Sequence, residues 1–274
     1  MPFRHPTAVP AGPSVPGPAA SAARGVRLEV AGLDAGYRGS RGSRLVLAGI
    51  DLRLDAGECL AIVGESGCGK STLLHVLAGL LAPLRGTVEV DGARVAAPGV
   101  AEPGHAAYLF QQDLLLPWLP VLGNATFAAQ VARPAIGGRT QLEERARSLL
   151  HEFGLGDRLN AYPGELSGGM RQRVALARTL VLGRGLVLLD EPFANLDALT
   201  RGDMQQWMLR VMRTHPATWV LVTHDVAEAV LLGGTVAVLS GRPARLTGWV
   251  DVSTHDPAWA AAEIHRLLRA GRGA

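Results

Sequence analysis

The chain has 274 residues, of which 48% are hydrophobic, and its formal net charge is +3 at pH 7. This length suits one large α/β domain with an inserted subdomain, and the apolar content is enough for a substantial core. Because the positive charge is small and spread along the chain, it favours neither nucleic acid nor a lipid surface as the default partner. No apolar run reaches the roughly 18–20 residues that a transmembrane helix needs, and we expect no secretory leader.

The first 25 residues consist mainly of Pro, Ala, Gly and Ser. Such a composition has little to bury, so it predicts a disordered tail over residues 1–25. A processed targeting segment is the alternative interpretation.

Alternating apolar and polar residues follow the tail. Val26, Leu28 and Val30 alternate with charged residues, which predicts a strand. A polar turn over residues 38–44 and a second alternating strand complete a hairpin, and a further hairpin is predicted around the Asp91-Gly92 turn. We therefore expect a small antiparallel β-layer beside a main sheet.

Residues 64–71 read Gly-Glu-Ser-Gly-Cys-Gly-Lys-Ser and fit the phosphate-loop pattern G-x-x-x-x-G-K-[ST]. A buried strand is predicted over residues 58–63 and a helix over residues 71–80. The glycines let successive N–H groups converge on phosphate oxygens, and the helix N-terminus favours the same anion. Lys70 is the one lysine among 27 Lys and Arg residues, which indicates a position where a compact ammonium is needed.

The two cysteines, Cys59 and Cys68, lie at the ends of this strand–loop unit. A disulfide between them is geometrically unfavourable, and cysteine usage is typical of a cytosolic protein. We interpret Cys68 as a small loop residue and not as a reactive thiol.

Residues 113–183 have the pattern of a helical insertion. Thr140 and Glu143 are spaced as a capping box, and Gly154 follows the periodic stretch as a C-terminal cap. Ser167 is predicted to cap the last helix of this segment.

Three further strands are predicted to end in polar residues. They are followed or closed by Gln111, by Asp190 with Glu191, and by His224. Ligands bind at the carboxyl ends of strands in an open parallel sheet, so these side chains are expected to meet at the phosphate loop. Each taken alone is also compatible with a turn, a helix cap or a structural histidine.

The stretch 166–173, Leu-Ser-Gly-Gly-Met-Arg-Gln-Arg, resembles the signature sequence of ATP-binding-cassette (ABC) proteins. Other marks of that family follow in its order: Tyr37, Gln111, Asp190-Glu191, Ala194-Asn195-Leu196-Asp197 and Thr223-His224-Asp225. The resemblance covers residues 26–250 and leaves residues 251–274 as a C-terminal helical extension. It implies a P-loop NTPase core with a mostly parallel sheet, an antiparallel β-subdomain and an inserted α-helical subdomain.

The resemblance also implies roles for individual residues, with ATP and Mg²⁺ as cofactors. The ATP-binding set is Tyr37, Gly64, Glu65, Ser66, Gly67, Cys68, Gly69, Lys70, Ser71 and Thr72. The metal ligands would be Ser71, Gln111 and Asp190, and the catalytic residues Glu191, His224 and Gln111. The signature, Leu166, Ser167, Gly168 and Gly169, would reach the nucleotide of a second subunit, with Asp197 in the D-loop. The active unit would then be a head-to-tail homodimer that encloses two ATP.

The run Gln-Gln-Asp-Leu-Leu-Leu-Pro-Trp-Leu at 111–119 resembles the nitrate/sulfonate/taurine import branch, which includes importers of a thiamine precursor. This implies an ATPase subunit at the cytoplasmic face of the plasma membrane, bound to a permease that an extracytoplasmic solute-binding protein feeds. The apolar run would help to form the permease groove, although Trp118 could instead be an ordinary hydrophobic anchor. A soluble ABC ATPase acting on nucleic acid or ribosomes, and a regulator without turnover, are the other functions considered. We expect no nucleic-acid partner. The sequence does not identify the transported solute.

Overall fold

The computed structural model describes residues 24–39, 42–101, 104–131 and 138–271. Most of the predicted tail, residues 1–23, and the tip of the first hairpin, residues 40 and 41, lie outside these ranges. The described strands are β1 (Leu28–Gly39), β2 (Gly42–Leu54), β3 (Cys59–Gly64), β4 (Arg85–Val90), β5 (Ala93–Ala97), β6 (Val100–Ala101), β7 (Ala106–Leu109), β8 (Leu186–Asp190), β9 (Thr218–Thr223), β10 (Thr235–Gly241) and β11 (Ala244–Asp251). The described α-helices are α1 (Lys70–Leu77), α2 (Val121–Val131), α3 (Arg139–Glu152), α4 (Gly168–Leu180), α5 (Ala198–Thr214), α6 (Val226–Leu232) and α7 (Pro257–Ala270).

All these strands belong to one sheet with the order β6-β5-β4-β1-β2-β11-β10-β3-β9-β8-β7. Strands β10, β3, β9, β8 and β7 run parallel, whereas β1, β2, β4, β5 and β6 pair antiparallel. The two parts join through a single pair, Ala244 with Leu47. The antiparallel layer expected beside the main sheet is therefore its hydrogen-bonded extension.

The parallel strands are buried on both faces, which explains their continuous apolar sequences. Successive side chains of a strand point to opposite faces. Leu186 and Leu188 accordingly pack in the core on the α1 side, whereas Val187 and Leu189 pack in the core that α2 to α7 cover.

The helix boundaries differ from the sequence prediction at two places. Helix α1 begins at Lys70 and not at Ser71, and it ends at Leu77. Helix α3 begins at Arg139, so the predicted capping box is wrong: Glu143 instead pairs with Arg147 at 3.2 Å on the helix surface. A glutamate one turn before an arginine is equally suited to such an i,i+4 pair, which explains the misreading.

The other predicted caps match the structure. The hydroxyl of Ser167 accepts the backbone N–H of Met170 at the start of α4. Gly154 follows α3 with φ 71°. The structure shows a further cap at Asp256, whose side chain accepts the N–H groups of Ala258 and Trp259 at the start of α7. Over the described ranges of the chain, we find no helix with the length and hydrophobicity that a bilayer crossing requires.

Candidate functional site

Four groups of predicted site residues lie where four parallel strands end. Strands β3, β9, β8 and β7 are neighbours in the sheet, and their carboxyl ends lie at one edge. The phosphate loop follows β3, His224 follows β9, Glu191 follows β8 and Gln111 comes two residues after β7. The edge of the sheet therefore brings together groups that are up to about 150 residues apart in the chain.

Two glycines of the phosphate loop are needed for different reasons. Gly69 has φ 117°, and a Cβ there would lie 2.7 Å from a Val46 methyl group. Gly64 has no such backbone angle. A Cβ on it would lie 2.5 Å from the carbonyl oxygen of Leu239 and 2.8 Å from Cys68 Sγ. Close packing, and not a special φ, therefore requires glycine at position 64.

Lys70 is 5% exposed, although the sequence suggested a mobile charge. Its Nζ donates to the carbonyl oxygens of Gly64 at 2.9 Å and Glu65 at 3.1 Å. It also lies 3.6 Å from Glu191 Oε1. Three oxygens thus fix the position of the ammonium.

Both cysteines are free thiols. Cys68 is buried, and desolvation raises its pKa although the Lys70 charge opposes this. Burial raises the pKa of Cys59 to about 12. Both thiols are therefore protonated at neutral pH, in agreement with the interpretation of Cys68 as an unreactive loop residue.

A carboxylate and two hydroxyls form a cluster beside the loop. Ser71 Oγ donates to Asp190 Oδ1 at 3.1 Å, and Tyr108 donates its phenol proton to Asp190 Oδ2 at 2.8 Å. Burial, followed by the negative charge of Asp190, raises the pKa of Tyr108, so the phenol keeps its proton. Hydroxyl and carboxylate oxygens are the ligands that Mg²⁺ prefers, so the chemistry of Ser71 and Asp190 fits this cation.

Glu191 lies between two nitrogen groups. Its Oε1 faces Lys70 Nζ, and its Oε2 lies 3.1 Å from His224 Nδ1. The residue has φ 42°, an uncommon value for a residue with a side chain. Backbone strain of this kind is frequent at active sites, and here it accompanies a carboxylate directed at the phosphate loop.

An open cleft of about 480 Å³ lies over these groups. Its wall includes Tyr37, whose hydroxyl is 3.2 Å from the Thr72 hydroxyl. Its lining is Tyr37, Arg44, Val46, Ser66, Gly67, Gly69, Lys70, Ser71, Thr72, Gln111 and Glu191.

Sequence reasoning missed Arg44 and Tyr108. Arg44 was assigned to a polar turn, but β1 and β2 continue into that region and place Arg44 directly opposite Tyr37. Tyr108 was assigned only to a strand. Tyr108 precedes Phe110 by two residues, so both side chains lie on the same face of the predicted strand, which ends just beyond them. This position at the end of a strand was the available indication that Tyr108 lies near the site.

The signature residues do not line this cleft. Ser167 caps α4 at the surface, and Arg171 donates to the carbonyl oxygen of Leu166 at 2.8 Å. Asp197 caps α5 by accepting the N–H of Thr200, and these hydrogen bonds lower its pKa. Of the signature residues, Ser167 is exposed, whereas Gly169 is buried next to Thr200 and Met204 of α5.

A phosphate loop on a parallel sheet, with a separate helical segment that presents a capped Ser-Gly-Gly turn, defines an ATP-binding cassette. Comparison with protein families matches residues 47–194 to the ABC transporter family. The chain belongs to this family and is an ATPase subunit that uses ATP and Mg²⁺.

Curated relatives agree with this assignment. The chain is 48% identical over 222 residues to "Aliphatic sulfonates import ATP-binding protein SsuB 2" of Xanthomonas axonopodis pv. citri, covering 81% of this chain and 70% of that protein. It is 41% identical to SsuB of Bacillus subtilis, covering 73% and 75%. It is 42% identical to "Bicarbonate transport ATP-binding protein CmpC" of Synechocystis over 76% of this chain, but it spans only 31% of that longer protein.

A solved structure with the same fold is the dimeric ATP-binding cassette MJ0796 in a post-hydrolysis state bound to ADP and Pi. It is 27% identical, with a TM-score of 0.68, and the match covers 82% of this chain and 98% of that one. The predicted fold class and the predicted family are therefore confirmed.

Proposed function

We propose that this chain is the ATP-hydrolysing subunit of an importer and that two copies bind two ATP head to tail. The observation that carries the proposal is the convergence of Lys70, Ser71, Asp190, Glu191 and His224 at one edge of the sheet. Phosphoryl transfer requires mainly positioning and neutralisation of charge, and these five side chains supply both.

The nucleotide would lie in the cleft. The exposed face of Tyr37 is suited to stack on adenine, and the N–H groups of residues 64–72 would hold the phosphates. The Lys70 ammonium would exchange its carbonyl contacts for phosphate oxygens, and the Arg44 guanidinium adds a second cation to the same wall.

Ser71, Asp190 and Gln111 are the proposed metal ligands. Mg²⁺ bound there would neutralise the charge of the β- and γ-phosphates. Ser71 and Asp190 are already in contact, whereas Gln111 contributes to the cleft wall, and its backbone carbonyl accepts from Asn195 at 2.9 Å. The hydrogen bond from Asn195 connects the Gln111 backbone to the segment that follows Glu191.

Glu191 is the proposed general base. A carboxylate can orient a water and accept its proton, and His224 Nδ1 fixes Oε2 so that the carboxylate keeps one orientation. Lys70 compensates the negative charge of Glu191 until phosphate binds. His224 is half exposed at the mouth of the site, where it could contact the γ-phosphate.

The signature would complete the site of the second copy. The N-terminus of α4 offers unpaired N–H groups and a positive dipole, both of which favour a γ-phosphate. Leu166, Ser167, Gly168 and Gly169 form this turn, and Asp197 lies at the start of the next surface helix. Their separation from the chain's own cleft supports action in trans.

An apolar groove of about 430 Å³ is the proposed docking site for a permease. Leu80, Phe110, Leu114 and Phe127 contribute to its lining, and Trp118, in the loop that borders it, is 69% exposed. Such an exposed apolar surface marks an interaction site. A permease seated in this groove would hold the subunit at the cytoplasmic face of the membrane, and a solute-binding protein would deliver the solute from the opposite side.

The relatives' names indicate the class of solute. SsuB proteins are named for aliphatic sulfonates and CmpC for bicarbonate, both small anions. We therefore infer that the importer takes up a small anion of the sulfonate, nitrate or bicarbonate type, with a thiamine precursor as the alternative.

The test is reconstitution with candidate importer permeases from the same organism. Co-purification of the two proteins, followed by ATP-driven uptake of radiolabelled alkanesulfonate, nitrate or bicarbonate into proteoliposomes, is the expected result. If the ATPase does not bind the permease and its activity is instead stimulated by RNA or ribosomes, the protein belongs to the soluble ABC ATPases that act on nucleic acid or ribosomes.

A further inference from the structure

Tyr108 controls one of the two oxygens of the Asp190 carboxylate. Its hydroxyl donates to Oδ2 at 2.8 Å, while Oδ1 accepts from Ser71 Oγ at 3.1 Å. Asp190 is 6% exposed, so water has little access to replace either partner. The two hydrogen bonds together fix the orientation of the carboxylate, with Oδ1 directed at Ser71 and Oδ2 at Tyr108.

The ring of Tyr108 is held by two aromatic neighbours. It stacks on His75 of α1 at 5.8 Å between ring centroids and lies 4.4 Å from the ring of Phe110. These contacts are independent of the hydroxyl, so they fix the direction in which the O–H points. A phenylalanine at this position would keep both ring contacts and lose only the hydrogen bond.

The same ring forms part of the apolar groove, together with Phe110, Leu114 and Phe127. One side chain thus reaches from the proposed docking surface to the proposed metal ligand. No sequence motif of the family resemblance included Tyr108, and the mechanism described above does not use it.

We propose that Tyr108 is a positioning residue that sets the cation affinity of the ATP site by orienting Asp190. The proposal rests on the assignment of Ser71 and Asp190 as metal ligands. Groups that orient a ligating carboxylate typically change metal affinity by about 10–100-fold when they are removed. A partner seated in the groove would contact the ring that fixes this orientation.

The experiment compares wild type with Tyr108→Phe in two binding measurements that need no turnover. The affinity for ATP is measured first in EDTA, where Tyr108→Phe is expected to match wild type because no metal is present. The affinity for Mn²⁺ is then measured by electron paramagnetic resonance on protein saturated with a non-hydrolysable ATP analogue. Here Tyr108→Phe is expected to bind Mn²⁺ about tenfold more weakly.

Two sets of variants make the result decisive. Tyr162→Phe removes a hydroxyl from an exposed tyrosine of the helical insertion and should leave the affinity for Mn²⁺ unchanged. Asp190→Asn and Ser71→Ala test the metal site itself.

If both weaken Mn²⁺ binding while Tyr108→Phe binds Mn²⁺ like wild type, the proposal for Tyr108 is overturned and the site assignment stands. If neither weakens Mn²⁺ binding, the site assignment itself fails. A melting temperature of Tyr108→Phe within a few degrees of wild type confirms that the fold is intact.

Discussion

Lys70 and Glu191 pair across the proposed catalytic site, with 3.6 Å between Nζ and Oε1. Both side chains are largely withdrawn from solvent, and each has further partners: two carbonyl oxygens for Lys70 and His224 for Glu191. In the proposed mechanism a bound triphosphate would compete with Glu191 for the Lys70 ammonium, and a carboxylate released from this pair could accept a proton. The contacts of Lys70 and Glu191 fix the orientation of both groups.

Replacing Lys70 with alanine should weaken ATP binding without unfolding the protein. The loss of one charge-assisted contact costs about 1.5–3 kcal/mol, which is roughly 10–100-fold in affinity, and turnover should be lost. Stability should change little because Lys70 lines the cleft and belongs to neither of the two hydrophobic cores. Calorimetric titration with ATP measures the affinity, and a thermal melt measures the stability of the variant. Wild-type affinity and turnover would contradict the assignment of the phosphate loop.

Glu191→Gln should retain ATP but lose turnover, and it should accumulate as a closed dimer. The amide has the shape of the carboxylate but cannot accept the proton of the attacking water. Light scattering after size exclusion in ATP and Mg²⁺ gives the oligomeric state, and phosphate release gives the rate.

Glu152→Gln is the matched control for this variant, because Glu152 also pairs with a histidine, His215, at 3.0 Å but lies away from the cleft. It should behave as wild type. A Glu191→Gln protein that hydrolyses ATP at the normal rate would remove Glu191 from the mechanism.

At the scale of single elements, the loop between β7 and α2 connects the groove to the signature helix. Arg178 of α4 donates to the carbonyl oxygens of Asp113 at 2.6 Å and Leu114 at 2.7 Å, and Arg171 of α4 pairs with the Asp113 carboxylate at 3.1 Å. Asn124 of α2 holds the other end through hydrogen bonds to Leu116 and Leu119. A displacement of this loop would therefore move the helix that carries the signature.

The loop also shows where sequence reasoning was incomplete. Residues 114–119 were treated as one apolar surface, yet Leu115 is half buried against the core, whereas Leu114 and Trp118 are exposed. Periodicity cannot separate the two cases in an irregular segment, because no regular repeat assigns side chains to a face. The buried strand predicted over residues 58–63, in contrast, lies at Cys59–Gly64, because a continuous apolar run marks a strand that is buried on both faces.

Replacement of Leu114 and Trp118 should uncouple the subunit from its permease without loss of stability. Leu114 has φ 47°, a conformation that asparagine tolerates, so Leu114→Asn with Trp118→Ala removes apolar surface without backbone strain. We expect wild-type melting and basal ATPase but lost co-purification with the permease. Trp249→Ala, which truncates an exposed tryptophan on β11, is the control and should bind normally. Undisturbed binding by the double variant would exclude this surface as the docking site.

At the scale of the whole molecule, two parts of the site lie on separate surfaces of one chain. The cleft at the sheet edge holds the phosphate-loop groups, and the start of α4 presents Ser167 elsewhere. The residues of both parts could be predicted from the sequence, because each part carries its own motif. The separation of the two parts in space could not be predicted from the sequence. It depends on how the helical insertion packs against the sheet, for example through the hydrogen bond from Gln172 to the Pro192 carbonyl oxygen.

Mixed dimers test whether the two surfaces act across subunits. Lys70→Ala destroys the phosphate-loop half of a site, and Ser167→Arg blocks the signature half with a long cation at the cost of one helix cap, about 1 kcal/mol. Each variant alone should be inactive. In a head-to-tail pair, however, the phosphate loop of the Ser167→Arg chain faces the intact signature of the Lys70→Ala chain. A mixture of the two purified variants should therefore recover ATPase activity, up to about half of the wild-type rate per mixed dimer, and activity should follow the product of their concentrations. The contrary outcome is a mixture that is as inactive as each purified variant alone. If both variants also melt at the wild-type temperature and the Ser167→Arg chain still binds ATP, that outcome would show that the signature does not act in trans.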